Sequence, residues 1–448
     1  MLWGRRRMGK TRILLEWNRL HDGLYTIADQ STPEVQRRYF AEAVSTRFGG
    51  IQEARYPDWA ALLRRVAQEA AATGWRGPLI LDEFPYLAGP SPELPSVLQR
   101  WLDHEARAAG LVVALAGSSQ RMMQGLTLSP SAPLYGRAIE AMPIDPLMPG
   151  YLGEGLGLTD PVECVQAYSA WGGVPRYWEL AETAGAELDA AVDRCVLDPL
   201  GPLHTEPDRL LQEELPPALV LRPILDVIGM GAHRLSEIAG RLGQPATSLA
   251  RPIGRLIELG LVCRDRPHGD PEKGAKRALY RIADPFCRMW FQTVAPHRAL
   301  LAQAPRMVRL AVWKRERGRL FAEAWEELCR SAVARLGMTD SPLAGLGPWQ
   351  PSQRYWHGGG PEWDVVSLSV DRKRLLLGEV KWSPTPLSAS DLRRVAARLL
   401  AKGVPPIAGA MCEIVRALFV PRAARGPKTA EGMTVVDAQS VLQALRED

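Results

Sequence analysis

The 448-residue chain has no Cys-x-x-Cys pair; its six cysteines (Cys164, Cys195, Cys263, Cys287, Cys329 and Cys412) stand singly. That scatter argues against a disulfide framework and a thiolate zinc site, and a reducing, cytoplasmic setting is expected. No run approaches the roughly 18 apolar residues that a membrane-spanning helix needs. Arg5-Arg6-Arg7 looks like a twin-arginine export signal, but the apolar stretch behind it, Ile13-Leu14-Leu15, is cut by Glu16 and Arg19 before a signal core forms. No membrane partner is expected. Charge of one sign is scarce too. A net charge of +5 permits a polyanionic partner without requiring one. The 46% hydrophobic and 23% charged content is that of an ordinary globular protein, and at ~150 residues per domain the length suggests about three domains.

What is present begins at the fourth residue. Gly4-Arg5-Arg6-Arg7-Met8-Gly9-Lys10-Thr11 reads G-x-x-x-x-G-K-T, the P-loop pattern. Gly4 and Gly9 let the backbone turn so that successive N–H groups face phosphate oxygens. Lys10 would reach the β- and γ-phosphates of ATP, the Thr11 hydroxyl would hold Mg²⁺, and the helix expected over Arg12–Leu20 would aim its positive end at the same anion.

The residues that follow supply partners. Leu24–Ala28 reads as a strand, Trp59–Ala72 as a helix, Pro78–Asp82 as an apolar strand ending in Asp82-Glu83, Leu94–Ala109 as a helix and Leu111–Ala116 as a second buried strand ending at Gly117-Ser118-Ser119. Apolar runs separated by helices indicate a parallel sheet covered on both faces, with ligand chemistry at the carboxyl ends of its strands. Asp82 is assigned to Mg²⁺, Glu83 to polarising the attacking water and Ser118 to sensing the γ-phosphate. Arg137, in Leu134-Tyr135-Gly136-Arg137, is an arginine finger or a solvated loop arginine. As a finger it would act in cis or across the subunit boundary of a homo-oligomer. Residues 151–215 read as a helical lid punctuated by Trp171-Gly172-Gly173-Val174-Pro175 and closing near Pro216-Pro217.

The P-loop, Leu81-Asp82-Glu83-Phe84-Pro85-Tyr86-Leu87, Gly117-Ser118-Ser119, Leu134-Tyr135-Gly136-Arg137 and Gly172-Gly173-Val174-Pro175 occur in an order that resembles the prokaryotic "archaeal ATPase" family of AAA+/STAND-like P-loop ATPases. The resemblance covers residues 1 to about 290. It implies an upstream strand and a Gly-Arg-Glu box before the P-loop. Only Met1-Leu2-Trp3 precede Gly4, so the first strand and part of the adenine pocket are expected to be missing.

Residues 218–286 read as three helices (Ala218–Ile228; Glu237–Leu242, capped by Ser236; Thr247–Leu259, stopped by Gly260) and a hairpin, the pattern of a winged helix. Residues 218–299 carry 13 Lys/Arg against 7 Asp/Glu. Arg251 and Arg255, four apart on the third helix, would share a face toward DNA. The other reading is a lid or adaptor that never touches nucleic acid.

In the last third, a basic link around Trp313-Lys314-Arg315-Glu316-Arg317 precedes an amphipathic helix, Phe321–Leu336. Glu362–Val366 and Leu375–Trp382 read as hairpin arms around Asp371-Arg372-Lys373-Arg374. If Val370 pairs with Leu375, Asp364 falls opposite Lys381, with Glu379 diagonal to it. An acid followed by Glu-x-Lys suits metal-dependent phosphodiester cleavage, in which the carboxylates hold Mg²⁺ and the lysine handles charge or water. A plain Asp364–Lys381 salt bridge is the alternative. The segment resembles the PD-(D/E)XK nuclease fold, the C-terminal domain accompanying this ATPase family. That resemblance adds Glu326 as a further metal-binding acid, with Glu323 the poorer choice.

The expected class is therefore α/β: a P-loop NTPase parallel sheet (1–150), a helical lid (151–217), a winged helix (218–299) and an α/β PD-(D/E)XK-like domain (300–448). The function expected is ATP binding and hydrolysis, with the ATP state controlling the winged helix and the nuclease-like domain in acting on or regulating DNA. The alternative is a nucleotide-binding regulator whose C-terminal domain does not cleave.

Overall fold

Apolar strands alternating with amphipathic helices build residues Met1–Pro146, one of two units into which the chain divides; Leu147–Asp448 is the other. The computed structural model describes all residues except 119, 128, 131, 186, 215–220, 272–276, 339–340, 408–412, 425–428 and 447–448. Ser119, Cys412, the Pro216-Pro217 boundary and the start of the helix expected from Ala218 lie outside the described residues.

The first unit runs β1 (Leu2–Trp3), α1 (Lys10–Leu20), β2 (Leu24–Ile27), α2 (Pro33–Ser45), α3 (Trp59–Thr73), β3 (Pro78–Asp82), α4 (Phe84–Ala88), α5 (Leu94–Trp101), β4 (Val112–Gly117), α6 (Gln120–Thr127) and β5 (Met142–Pro143). Its strands lie in the order β2-β3-β4-β1-β5, and these pairings are parallel. Every residue of β3 is buried, as a central strand covered on both faces requires. Leu79 and Leu81 pack with Leu62, Leu63 and Val66 of α3, while Ile80 faces the opposite way, toward Leu14. α3 starts where the Asp58 carboxylate accepts the Ala61 N–H (2.8 Å), and it stops at Gly74, whose φ of 70° suits a left-handed cap.

Two expectations change here. The first strand is present. Leu2 and Trp3 pair with Ala116 and Gly117 on one side and with Met142 and Pro143 on the other, so even two residues take an interior position of the sheet. The helix expected to reach Ala109 is α-helical only to Trp101 and continues as a π-helical turn over Leu102–Ala106.

The second unit begins with α7 (Leu152–Leu156), α8 (Pro161–Trp171), α9 (Pro175–Ala184), α10 (Leu188–Val192) and α11 (Glu206–Glu214). Next come α12 (Arg222–Gly229), α13 (Leu235–Leu242), α14 (Ala246–Glu258) and the antiparallel pair β6 (Val262–Asp265) and β7 (Leu279–Ile282). After α15 (Pro285–Thr293), α16 (Arg298–Leu301) and α17 (Arg306–Leu336) follow β8 (Gln353–Tyr355), β9 (Trp363–Leu368), β10 (Arg374–Val380), α18 (Ala389–Ala401), β11 (Glu413–Phe419), β12 (Thr429–Ala430), β13 (Met433–Val436) and α19 (Ala438–Ala444). The sheet order is β12-β13-β11-β10-β9-β8. β10 runs parallel to β11 and antiparallel to β9. Among the described residues no helix is long and apolar enough to cross a membrane.

α13 is capped two residues earlier than expected. Ser236 lies inside it, and the cap is Arg234, because the Glu237 carboxylate accepts the N–H groups of His233 (3.0 Å) and Arg234 (3.1 Å). Gly260, at φ 66°, ends α14 as expected. The basic link and the amphipathic helix are one 31-residue helix, α17. Trp313, Leu320, Ala324 and Leu328 continue one buried stripe across it, and Arg309 and Arg317, which share that face, are neutralised by Asp193 and Asp189.

The largest correction is the register of β9 on β10. The ladder pairs Leu375 with Leu368 and Gly378 with Val365, two residues away from the expected pairing of Val370 with Leu375. The turn explains the slip. The Asp371 carboxylate accepts the Ser369 hydroxyl (2.5 Å) and the Lys373 N–H (3.1 Å), and the Ser369 oxygen accepts the Arg374 N–H (3.0 Å). These bonds draw Val370 out of the ladder and leave it exposed.

Candidate nucleotide site and carboxylate cluster

In the first unit the P-loop joins β1 to α1. Gly9, at φ 84°, caps α1, and Arg7 is also left-handed at φ 71°, so consecutive peptides curl into an anion-accepting turn. Gly4 is fixed by packing: a Cβ there would stand 2.6 Å from the Ile144 carbonyl oxygen. Lys10 is 5% exposed and its Nζ donates to the carbonyl oxygens of Gly4 (2.7 Å) and Arg5 (2.9 Å), which hold the ammonium across the mouth of the turn.

β3 delivers the acids. Asp82 is 1% exposed. Its Oδ2 accepts the hydroxyls of Thr11 (2.8 Å) and Tyr25 (2.8 Å), and its Oδ1 accepts the Glu83 N–H (2.9 Å). The two residues expected to share Mg²⁺, Thr11 and Asp82, are thus in direct contact. Burial, and then the hydrogen bond to Asp82, raise the Tyr25 phenol above its ordinary 10.0, so it stays a donor. Tyr25 was not anticipated. β2 pairs with β3 so that Tyr25 faces Ile80, two residues before Asp82 and on the same face, and no local motif in the sequence reveals that pairing.

Glu83 ends the strand in a left-handed conformation (φ 53°, ψ 40°). That costs on the order of 1–3 kcal/mol for a residue with a Cβ and redirects its carboxylate across the strand ends. There Ser118, just past β4, donates its hydroxyl (2.5 Å) and its N–H (3.3 Å) to the two Glu83 oxygens. Gly117 makes room, since a Cβ on it would lie 2.6 Å from Pro85 Cδ. Ser118, the candidate sensor of the γ-phosphate, is placed at the strand ends and orients Glu83. Arg137 is turned to Asp103, donating from Nε (3.0 Å) and Nη2 (2.9 Å).

The second unit brings Asp364, Glu379 and Glu326 near one another. Continuing the ladder from Gly378–Val365 sets Asp364 opposite Glu379, and Asp364 Oδ2 accepts the Val380 N–H (3.0 Å). Glu326, on α17, forms an ion pair with Arg330 (3.4 Å). Burial, followed by the charge of Asp364, raises the Glu326 carboxyl above its ordinary range. Glu379 is also raised, by burial first and against the pull of Lys402, whose Nζ donates to its Oε2. Lys381, expected to be the site's lysine, is exposed, and among the described residues it forms no ion pair with these acids. Glu323 belongs elsewhere: it accepts the Gln292 amide (3.2 Å) and pairs with Arg288 (3.7 Å). Among the described residues no three His, Cys, Asp or Glu side chains are grouped to hold a metal ion.

Glu327, the next residue along, is the hub of a buried network absent from the sequence reading. Its Oε2 accepts Arg281 of β7 (2.9 Å) and Arg288 of α15 (2.8 Å), and its Oε1 accepts the Tyr168 hydroxyl of α8 (3.2 Å). Burial alone would raise this carboxyl, but Arg288 and Arg281 outweigh it and hold it at about 2. The end of the β6–β7 hairpin also rests on the sheet: the His268 N–H donates to the Arg354 carbonyl of β8 (2.8 Å), and Arg277 contacts His357 Nδ1 (2.5 Å). Arg251 and Arg255 on α14 have no ion-pair partner among the described residues.

A family profile described as archaea bacterial proteins of unknown function (DUF234) matches residues 290–395, a span that contains Glu326, Asp364, Glu379 and Lys381. An uncharacterized protein of Methanocaldococcus jannaschii is 26% identical over 397 residues, 88% of this chain and 84% of that protein. Among solved structures, a Walker-type ATPase of Pyrococcus abyssi aligns with a TM-score of 0.51 at 18% identity, over 65% of this chain and 90% of that one. The ORC2 protein of Aeropyrum pernix, in ADPNP-ADP complexes, reaches 0.42 at 14% identity, over 72% and 87%. With the P. abyssi protein the likeness is one of fold: this chain shares the mixed α/β, parallel-sheet architecture of a Walker-type ATPase.

Proposed function

We propose that the chain is a Mg²⁺-dependent ATPase whose nucleotide state governs contact with DNA through a winged-helix segment, α12–α14 with β6 and β7. The observation carrying the ATPase half is the joining of Thr11 to Asp82 and of Ser118 to Glu83. These residues fit MgATP. The left-handed turn at Arg7 and Gly9 presents N–H groups to phosphate, Lys10 brings a positive charge, and Thr11 with Asp82 forms a hard-oxygen pair for the ion. When bound, Mg²⁺ neutralises charge on the β- and γ-phosphates. Glu83, steadied by Ser118, orients and polarises the attacking water. Arg137 would have to leave Asp103 to reach a phosphate, a modest requirement for an exposed pair.

Arg251 and Arg255, two cations on α14 without acidic partners among the described residues, support DNA as the polyanion. The docked hairpin end makes α14 the more accessible DNA-binding element of the segment.

A second reading concerns the C-terminal sheet, which we read as a PD-(D/E)XK-like domain. The Lys402–Glu379 pair favours a non-cleaving module that receives the ATPase signal. The full chain with Mg²⁺, ATP and several DNA and RNA substrates tests both halves, with hydrolysis, retention and cleavage each measured. ATP turnover and salt-sensitive DNA retention, weakened by Arg251→Ala/Arg255→Ala, are expected. Absence of turnover, or retention indifferent to salt, sinks the corresponding half. Divalent-dependent cleavage sinks the non-cleaving reading.

A further inference from the structure

We propose that Lys402 is a built-in cation that neutralises the Glu379–Asp364–Glu326 cluster in place of a divalent metal ion. The inference rests on reading the C-terminal sheet as PD-(D/E)XK-like and non-cleaving.

Asp364 and Glu379 face each other across β9 and β10, with Glu326 coming from α17. Carboxylates so placed disfavour one another's charged forms unless a cation intervenes. Two cations make direct contacts in the cluster, and the charges of Arg354 and Arg398 also act on Glu326 and Glu379. Arg330 pairs with Glu326 (3.4 Å) and donates to the Asp364 carbonyl oxygen (3.4 Å). Lys402 caps the C-terminus of α18 and pairs with Glu379, their side chains 21% and 15% exposed.

The position of Lys402 is set by packing. Val395, Ala396 and Leu399 of α18 share a core with Val366, Leu375 and Leu377, which anchors the last turn of the helix over the end of β10. A lysine ammonium is a compact charge with three donors, suited to sit where a small cation would. Lys381, the lysine suggested by the Glu-x-Lys spacing, is exposed instead. A divalent ion entering here would have to displace Lys402 and shed its own hydration.

Mn²⁺ binding to the full chain without nucleotide, followed by electron paramagnetic resonance, tests this. The wild type is expected to show no Mn²⁺ site that depends on Asp364. Lys402→Met should create one, with affinity raised at least about tenfold, the equivalent of ~1.4 kcal/mol. Adding Asp364→Asn to that variant should abolish it, and Lys402→Arg, which keeps the charge, should leave the cluster metal-free. Lys402→Gln serves as a second neutral variant, and melting curves confirm that each protein is folded. A wild-type Mn²⁺ site lost on Asp364→Asn overturns the proposal, as does failure of both neutral variants to gain a site. Wild-type Mg²⁺-dependent cleavage abolished by Lys402→Met would make Lys402 an active-site lysine, overturning the built-in cation while leaving the PD-(D/E)XK-like fold standing.

Discussion

Asp82 and Glu379 are both carboxylates at the ends of strands in mixed α/β units, and their partners differ in kind. Asp82 is held by two hydroxyls and a backbone N–H, and Glu379 by an ammonium. Neutral donors orient a carboxylate and leave its charge available. A cation oriented on it consumes that charge. Glu83 follows the first pattern, held by Ser118, whereas Glu326 and Glu327 follow the second, held by arginines. Asp82 and Glu83 are thus oriented by neutral donors, whereas Glu326, Glu327 and Glu379 join elements through cations. A carboxylate's chemistry is set by the charge of its partner, which a motif does not encode.

The strongest way to break this comparison is to remove the working groups of the first unit. Lys10→Ala is expected to lower ATP turnover by about 10²–10³-fold, the cost of losing one preorganised stabiliser of transition-state charge. Glu83→Gln should lower it by about 10²–10⁴-fold while nucleotide binding persists, because the amide keeps the shape and loses the base. Unchanged single-turnover rates in either variant would remove the assigned role. Neither substitution should unfold the protein.

Stability separates the two patterns next. Glu327→Gln leaves Arg281 and Arg288 facing a neutral amide in the interior, and breaking such a buried network typically costs about 3–5 kcal/mol. Asp82→Asn leaves only hydroxyls and an N–H around a neutral acceptor and should cost about 1 kcal/mol. Chemical denaturation of both variants checks the contrast, and equal losses would erase it.

The same contrast explains what the sequence discloses. The P-loop, Asp82-Glu83 and the alternating strands are legible because they are local: a glycine turn, or a strand ending in acids, needs no distant partner to be recognised. Tyr25 reaches Asp82 only through the β2–β3 register, and Ser118 reaches Glu83 only because Glu83 adopts a left-handed turn. The β9–β10 register shifted by two because the Ser369–Asp371 side-chain bonds hold Val370 in the turn, a competition that hydrophobic pattern cannot weigh. Lys402 lies 23 residues from Glu379, so Glu-x-Lys spacing points to Lys381 and gives no sign of the Lys402–Glu379 pair. Glu327 looked like a neighbour of Glu326 until α8, β7, α15 and α17 converged on it.

The smallest effect concerns an ionisable group of the second unit that is kept uncharged. His268 is 8% exposed, and its Nδ1 is buried without a hydrogen-bond partner among the described residues, while its backbone N–H joins the hairpin to β8. Burial lowers its pKa from the ordinary 6.5. The docked imidazole therefore binds a proton less readily than a released one. Docking is fully favoured above 6.5 and weakens as pH falls through 6.5 toward the lower docked value. Hydrogen exchange at residues 266–271 and 353–357, corrected for intrinsic rates, should show less protection at acidic pH than at neutral pH. His268→Phe keeps an apolar ring of similar bulk and cannot titrate, so its protection should be nearly flat over the same range. If the wild type is equally protected at both pH values, or the variant keeps the slope, the hairpin is held by Arg277 and the backbone bonds alone. The second unit would then depend on paired charge even at its edge.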